Sequence, residues 1–237
     1  MSKLGVNIDH IATLRQQREG CLLSLFEAAK VCEANGSDSI VVHLREDRRH
    51  IQDNDVFLLR STITTRLNLE MAVVPEIIRI ALRVKPDQAT LVPEKRQELT
   101  TEGGLDVVKL KSRISRAVVT LQKKGIDCSL FIEPDKKQIE AAYAVGARII
   151  ELHTGGYANC RNFKDAKREF KRIRDAVDLG CDLGLVVNAG HGLDYKNVGS
   201  VAKLDGIYEL NIGYSIVCRA VFAGLGKAVR EMKDLMR

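Results

Sequence analysis

Tryptophan is absent from this chain of 237 residues, and aromatic side chains make up only 5% of it. Surfaces that bind nucleic acid commonly stack bases on aromatic rings, so this scarcity argues against such a partner despite a net charge of +6. No apolar stretch approaches the roughly 18 residues that a membrane span needs. Even the C-terminal run from Ser215 to Ala223 is broken by Arg219, so no membrane partner is expected. Met1 runs directly into Leu4-Gly5-Val6-Asn7-Ile8-Asp9 with no charged and apolar leader ahead of it, which points to a soluble, cytoplasmic protein. The six cysteines form no C-x-x-C pair, which argues against zinc and redox motifs and suits a reducing compartment. Compact histidine spacing of the H-x-x-x-H kind is missing, and so is a lysine at a strand end for Schiff-base chemistry. No metal and no cofactor are expected.

What is present is a composition of 45% hydrophobic and 29% charged residues, enough for one large domain spanning residues 1–237. Runs of β-forming residues recur eight times: Gly5 to Asp9, Ser39 to Arg45, Leu67 to Ala72, Gln88 to Pro93, Asp127 to Glu133, Arg148 to Thr154, Leu183 to Ala189 and Gly206 to Gly213. Between them apolar residues step by three or four, as in Leu110, Ile114, Ala117, Leu121 and in Phe163, Ala166, Phe170, Ile173, Val177, which is helical spacing. Glycines at Gly36, Gly125, Gly146 and Gly180 read as helix ends. Eight alternations of strand and helix predict a closed α/β fold, the (β/α)8 TIM barrel, in preference to an open doubly wound sheet. The open sheet would carry a G-x-G-x-x-G turn after its first strand, where this chain reads Asn7-Ile8-Asp9-His10. The basic clusters Lys164 to Arg174 and Lys227 to Lys233 read as solvated helix faces.

Five of the runs carry a polar, aliphatic, polar triplet: Asn7-Ile8-Asp9, His43-Leu44-Arg45, Asn68-Leu69-Glu70, Glu151-Leu152-His153 and Glu209-Leu210-Asn211. Period-two alternation sends the aliphatic residue toward the helices and both polar residues into the barrel. Parallel strands are normally continuous apolar runs, and a buried polar group without a partner costs roughly 1–3 kcal/mol, so these residues are expected to do chemistry at the carboxyl ends of the strands. His43 to His50 adds guanidinium forks and imidazoles suited to phosphate. Pro93 to Gly104 is a long polar loop with a Gly-Gly hinge that suits a lid. The glycine turns Asn188-Ala189-Gly190-His191-Gly192 and Asn211-Ile212-Gly213-Tyr214-Ser215 follow strands seven and eight, where barrels commonly bind phosphate.

Several long blocks carry a resemblance: residues 5–15 (GVNIDHIATLR), 42–51 (VHLREDRRHI), 68–72 (NLEMA), 91–98 (LVPEKRQE), 100–106 (TTEGGLD) and 187–193 (VNAGHGL). Together they resemble the pyridoxine 5′-phosphate synthase family along essentially the whole chain. The resemblance implies a condensation of 1-deoxy-D-xylulose 5-phosphate with 3-amino-2-oxopropyl phosphate to pyridoxine 5′-phosphate, releasing phosphate and water. It implies His43 and Glu70 as proton acceptors, His191 as proton donor and Glu151 as transition-state stabiliser. Asp9, His10, Arg45, His50 and Thr100 would hold the pentulose phosphate. Asn7, Arg18, Gly192, Gly213 and Tyr214 would hold the amino ketone phosphate, on the opposite side of the mouth. The family usually has Gly-His where this chain has Gly213-Tyr214, so a phenol stands in place of an imidazole. The family also implies a homo-oligomer, an octamer. The residues by themselves leave open a one-phosphate aldolase, isomerase or decarboxylase on the same fold, and a non-catalytic phosphometabolite sensor.

Overall fold

The computed structural model describes residues 1–18, 20, 22–94 and 103–237. Eight parallel strands close into a barrel in sequential order, each hydrogen-bonded to the next and the last to the first. They are β1 (Lys3–Asn7), β2 (Ser39–Leu44), β3 (Arg66–Met71), β4 (Gln88–Leu91), β5 (Asp127–Ile132), β6 (Ile149–His153), β7 (Val186–Gly190) and β8 (Ile207–Ile212). The helices among the described residues are α1 (Asp9–Gln16), α2 (Leu25–Ala34), α3 (Asp53–Thr62), α4 (Pro75–Val84), α5 (Lys111–Gln122), α6 (Lys136–Ala144), α7 (Gly155–Ala158), α8 (Phe163–Asp182), α9 (Val198–Ala202), α10 (Tyr214–Ala223) and α11 (Leu225–Leu235). This is the (β/α)8 barrel expected from the alternation.

Local signals set the helix ends. Ser24, Asp135 and Asn162 each accept backbone N–H groups of the following turn, and Pro75 opens α4 where its missing N–H costs nothing. Gly36, Gly125 and Gly146 close helices with positive φ, as expected. Gly180 does not. It lies inside α8, where an added Cβ would sit 2.7 Å from Val187 Cγ2, so its role is close helix-to-strand packing. Gly184, at φ 76°, supplies the turn instead, and β7 therefore starts at Val186 and not at Leu183. The ion pairs Arg168–Asp165, Arg172–Glu169 and Lys227–Glu231 make the basic stretches of α8 and α11 solvated faces, as read from the sequence.

Alternation along the strands separates two cores. Outward aliphatic residues, among them Leu4, Val6, Ile40, Val42, Leu44, Leu67, Leu69, Leu130, Leu152 and Leu210, are fully buried against the helices. Each contributes about 1.5–3 kcal/mol of burial. The inward set is polar far below the mouth: Ser39, Asn68, Gln88, Thr90, Ser129, Asn188, Glu209 and Asn211 are all buried. Some are paired, as where Gln88 Nε2 donates to Thr90 Oγ1 at 3.1 Å and Thr90 Oγ1 donates to Asn68 Oδ1 at 2.8 Å.

Gly5 makes this polar filling possible on the β1 side. A Cβ there would meet Asn211 Oδ1 at 2.1 Å and Ser39 Oγ at 2.8 Å. Overpacking a filled interior costs about 1–3 kcal/mol. Gly5→Ala is therefore expected to lower the unfolding free energy by that amount, read as a lower urea midpoint at an unchanged slope. An unchanged midpoint would show that the interior has room to spare.

Candidate active site

The mouth is assembled where strands end and the chain turns outward. β1 stops at Asn7 because Asn7 Oδ1 accepts the backbone N–H of Asp9 at 2.9 Å, turning the chain into α1. Asp9 is thus the first residue of α1, not a strand residue as the triplet suggested, but it still faces the mouth. Its Oδ2 accepts from Asn7 Nδ2 at 3.0 Å, and its Oδ1 accepts the His43 backbone N–H at 2.9 Å. Asn7 Nδ2 also reaches Glu70 Oε2 at 3.5 Å. His43 and Glu70 occupy paired positions on β2 and β3. One donor atom each from Asp9, His43 and Glu70 falls within a 4.8 Å cluster, close enough to hold a cation. No sequence spacing revealed that grouping, because its members come from three separate β/α units.

His43 has a buried partner that sequence reasoning did not single out. Its Nε2 lies 2.9 Å from Glu94 Oε1, and Glu94 Oε2 accepts the Glu46 backbone N–H at 3.0 Å. Burial would raise the Glu94 carboxyl, but its contacts with His43 and the Glu46 N–H outweigh burial and hold it below the usual range. His50 lies edge-on to His43, with ring centroids 6.2 Å apart, and burial lowers its proton affinity. Arg45, just past β2, is buried beside Asp47 at 3.5 Å. Arg48 pairs with Asp53 and Glu76, and Arg49 shares Asp47 with Arg45.

Glu151 sits on β6 deep in the barrel, 1% exposed, where its Oε2 accepts Asn211 Nδ2 at 2.7 Å. Gly190 opposite it leaves the room, since a Cβ there would stand 2.4 Å from Glu151 Oε1. Burial pushes the Glu151 carboxyl up to about 8, against the Asn211 hydrogen bond and with the charge of Glu209 adding to it. Glu70 is raised well above its ordinary value, by burial first and then by the charges of Glu151 and Asp9.

His191 follows β7 with φ 75°, a conformation rare for a residue with a side chain. Thr154 holds the turn there: its backbone N–H donates to the Gly190 carbonyl, and its buried hydroxyl is 2.8 Å from that carbonyl and 2.6 Å from that of His191. Thr154 was visible in the sequence only as the end of a strand. Burial first, then the neighbouring His153, lowers His191 to about 4, with Glu133 opposing. The His191 ring is 5.0 Å from that of His153.

Gly192 has φ 84°. Gly213 caps α10 so close to β1 that a Cβ would meet the Asn7 carbonyl oxygen at 2.9 Å. Tyr214 is exposed, with its ring edge on His10 at 5.2 Å. Asn7 therefore touches Asp9, and Tyr214 touches His10. Members of the two expected phosphate sets therefore meet where β1, α1 and the start of α10 come together. Arg18 lies exposed beyond α1, and among the described residues no hydrogen bond ties its side chain to this cluster. Thr100 and most of the expected lid, residues 95–102, lie outside the described residues.

Fold and mouth define a class: a (β/α)8-barrel protein with acid–base side chains and glycine turns at the strand ends. Within that class, residues 4–237 match the family model described as pyridoxal phosphate biosynthesis protein PdxJ, and the chain belongs to that family. It is 57% identical to pyridoxine 5′-phosphate synthase of Geobacter sulfurreducens, covering 100% of this chain and 99% of the relative. It is 54% identical to the protein of that name from Pseudoalteromonas translucida, covering 98% and 96% respectively. A solved phosphoribosyl anthranilate isomerase from Thermus thermophilus superposes with a TM-score of 0.61 at 12% identity, covering 99% of this chain and 98% of that one, which bears on the fold alone.

A carboxyl group whose proton affinity is raised by folding favours the folded state below the unfolded value and loses that advantage as pH climbs toward the folded one. For Glu151 that window runs from the ordinary 4.5 to about 8. Glu151→Gln keeps an acceptor for Asn211 and removes the ionisation. The melting temperature of this variant relative to the parent is expected to rise steadily between those limits and level off above them. A pH-independent difference would mean that Glu151 ionises normally.

Proposed function

We propose that this protein is a pyridoxine 5′-phosphate synthase, condensing 1-deoxy-D-xylulose 5-phosphate with 3-amino-2-oxopropyl phosphate to pyridoxine 5′-phosphate with release of phosphate and water. The observation that carries the proposal is the match to the PdxJ family model over residues 4–237, and the barrel mouth agrees with it: Glu70 and Glu151, two carboxyl groups pushed up in proton affinity, stand there with the imidazole of His191. Ring closure from two ketones needs imine formation, proton removal beside a carbonyl or imine, and loss of water. Burial brings the two carboxyls toward neutral pH, where a group both takes and gives protons, and keeps His191 uncharged until a proton reaches it.

In this reading His43, oriented by Glu94, and Glu70 accept protons. His191 donates one; with its affinity lowered to about 4 it is uncharged near neutral pH, so it first takes up the proton that it then passes on. Glu151, fixed by Asn211, stabilises charge that develops on the intermediate. Asp9, His10, Arg45, His50 and Thr100 bind the pentulose phosphate. Asn7, Arg18, Gly192, Gly213 and Tyr214 bind the amino ketone phosphate, with Gly213 presenting the start of α10 to the anion. The contacts of Asn7 with Asp9 and of Tyr214 with His10 suit a reaction that joins the two substrates. Tyr214 offers a phenol where an imidazole is usual, so backbone N–H groups carry more of that contact.

We assign a homo-oligomer, with the family's octamer as the expected size. Its support is the apolar surface of α10, where Val221 is 71% and Phe222 88% exposed. Exposed apolar clusters of this kind commonly mark contacts between proteins. A cytoplasmic location suits the free state of all five described cysteines. Among the described residues no helix is long and apolar enough to cross a membrane.

With both phosphorylated substrates supplied, the purified protein is expected to form pyridoxine 5′-phosphate and inorganic phosphate. Glu70→Gln and His191→Gln should each lower kcat on the order of 10²–10⁴-fold with little change in KM. A raised KM at unchanged kcat would reduce either residue to binding. For assembly, Phe222→Lys is expected to shift sedimentation toward smaller species, and an unaltered profile would remove α10 from the interface.

A further inference from the structure

Glu133, His153 and Phe131 stand beside His191 but have no part in the proton transfers assigned above. We infer that Glu133 and His153 form a positioning dyad for His191, holding its ring from the β5 and β6 side and tuning the proton it carries. The inference rests on the reading of His191 as the proton donor.

Three observations carry it. The first is a directed hydrogen bond. Glu133 Oε1 lies 2.7 Å from His153 Nδ1 and also accepts the Gly104 backbone N–H at 3.0 Å. The His153 hydrogen bond, with the Gly104 N–H and the charge of Arg172 on α8 assisting against burial, holds the Glu133 carboxyl below its usual range. An ionised carboxylate only accepts, so His153 Nδ1 is the donor, and the ring can turn only by breaking that bond.

The second is where the other nitrogen goes. His153 Nε2 is buried with no partner among the described residues, and it faces the space over Gly155. A Cβ at position 155 would lie 2.4 Å from that nitrogen and 3.3 Å from His191 Cδ2. The missing side chain therefore lets the two imidazoles meet edge to face at 5.0 Å. Phe131 closes the slot on the far side, 5.2 Å from the His153 ring and 6.3 Å from that of His191.

The third is the charge around His191. His153 on β6 disfavours its proton and Glu133 past β5 favours it, so the two members of the dyad act in opposite senses. Glu151 on β6 approaches the same turn at Gly190, and Arg172, paired with Glu169, faces Glu133 from α8. Because Gly104 fits only as glycine, with an added Cβ 2.2 Å from the Glu133 backbone nitrogen, its N–H ties the Glu133 carboxylate to the segment that follows residue 102.

The test follows the five histidine Cε1–H signals of the full-length protein through a pH titration by NMR, in the parent, Glu133→Gln and His153→Gln. His191→Gln identifies its own signal. The His191 midpoint is expected to fall in Glu133→Gln and to rise in His153→Gln, and in both variants kcat should drop roughly tenfold or more with KM changed little. A midpoint that stays put in both variants, or moves the same way in both, overturns the dyad. If Glu133→Gln fails to fold, the direction in His153→Gln decides alone. The titration does not depend on turnover. Full activity in His191→Gln would therefore sink the donor role of His191, while an unmoved His191 titration would sink the dyad.

Discussion

A closed parallel barrel gives each strand one inward face, and side chains in the middle of that face are cut off from bulk water by the layers above and below them. Everything distinctive in this protein follows from filling that face with polar groups. The buried hydrogen bond from Asn211 to Glu151 joins β8 to β6 inside the barrel and fixes the deepest acid of the site. Gly5 leaves room for the side chain of Asn211, and Gly190 for that of Glu151. Stability is supplied by the separate aliphatic layer outside the strands, which leaves the interior free for chemistry.

The same enclosure acts on acids and bases in opposite directions. Burial disfavours charge, so it raises the carboxyls of Glu70 and Glu151 and lowers His191. Where a carboxylate has a strong partner the direction reverses, as for Glu94 beside His43 and Glu133 beside His153. The mouth thus holds two kinds of acid. Glu70 and Glu151 readily hold a proton near neutrality. Glu94 and Glu133 stay charged and orient histidines.

The two oriented histidines flank one segment of chain. Glu94 stands at the start of the connection between β4 and α5, and the Gly104 N–H that reaches Glu133 stands near its end. The turn bearing His191 is held separately by Thr154, whose hydroxyl faces two consecutive carbonyls and maintains a backbone conformation that His191 would not adopt alone.

Much of this was legible in the chain itself. Hydrophobic period and turn glycines determined eight β/α units, and polar residues at alternate positions named His43, Glu70, Glu151 and their neighbours as inward-facing, because strand period is a local property. Gly180 was misread as a helix end because glycine serves both turns and close packing, and only the neighbour, Val187, distinguishes them. Contacts between units were invisible for the same reason that made the units visible: they join residues far apart in sequence. The pairs His43 with Glu94 and His153 with Glu133, the adjoining of Asn7 and Asp9 with the α10 turn, and the commitment of Arg48 to Asp53 and Glu76 all depend on which strand lies beside which. The sequence by itself determined the barrel and the residue types at its mouth. Tertiary structure alone decided which of them touch and how deeply each is buried, because both depend on neighbours from other β/α units.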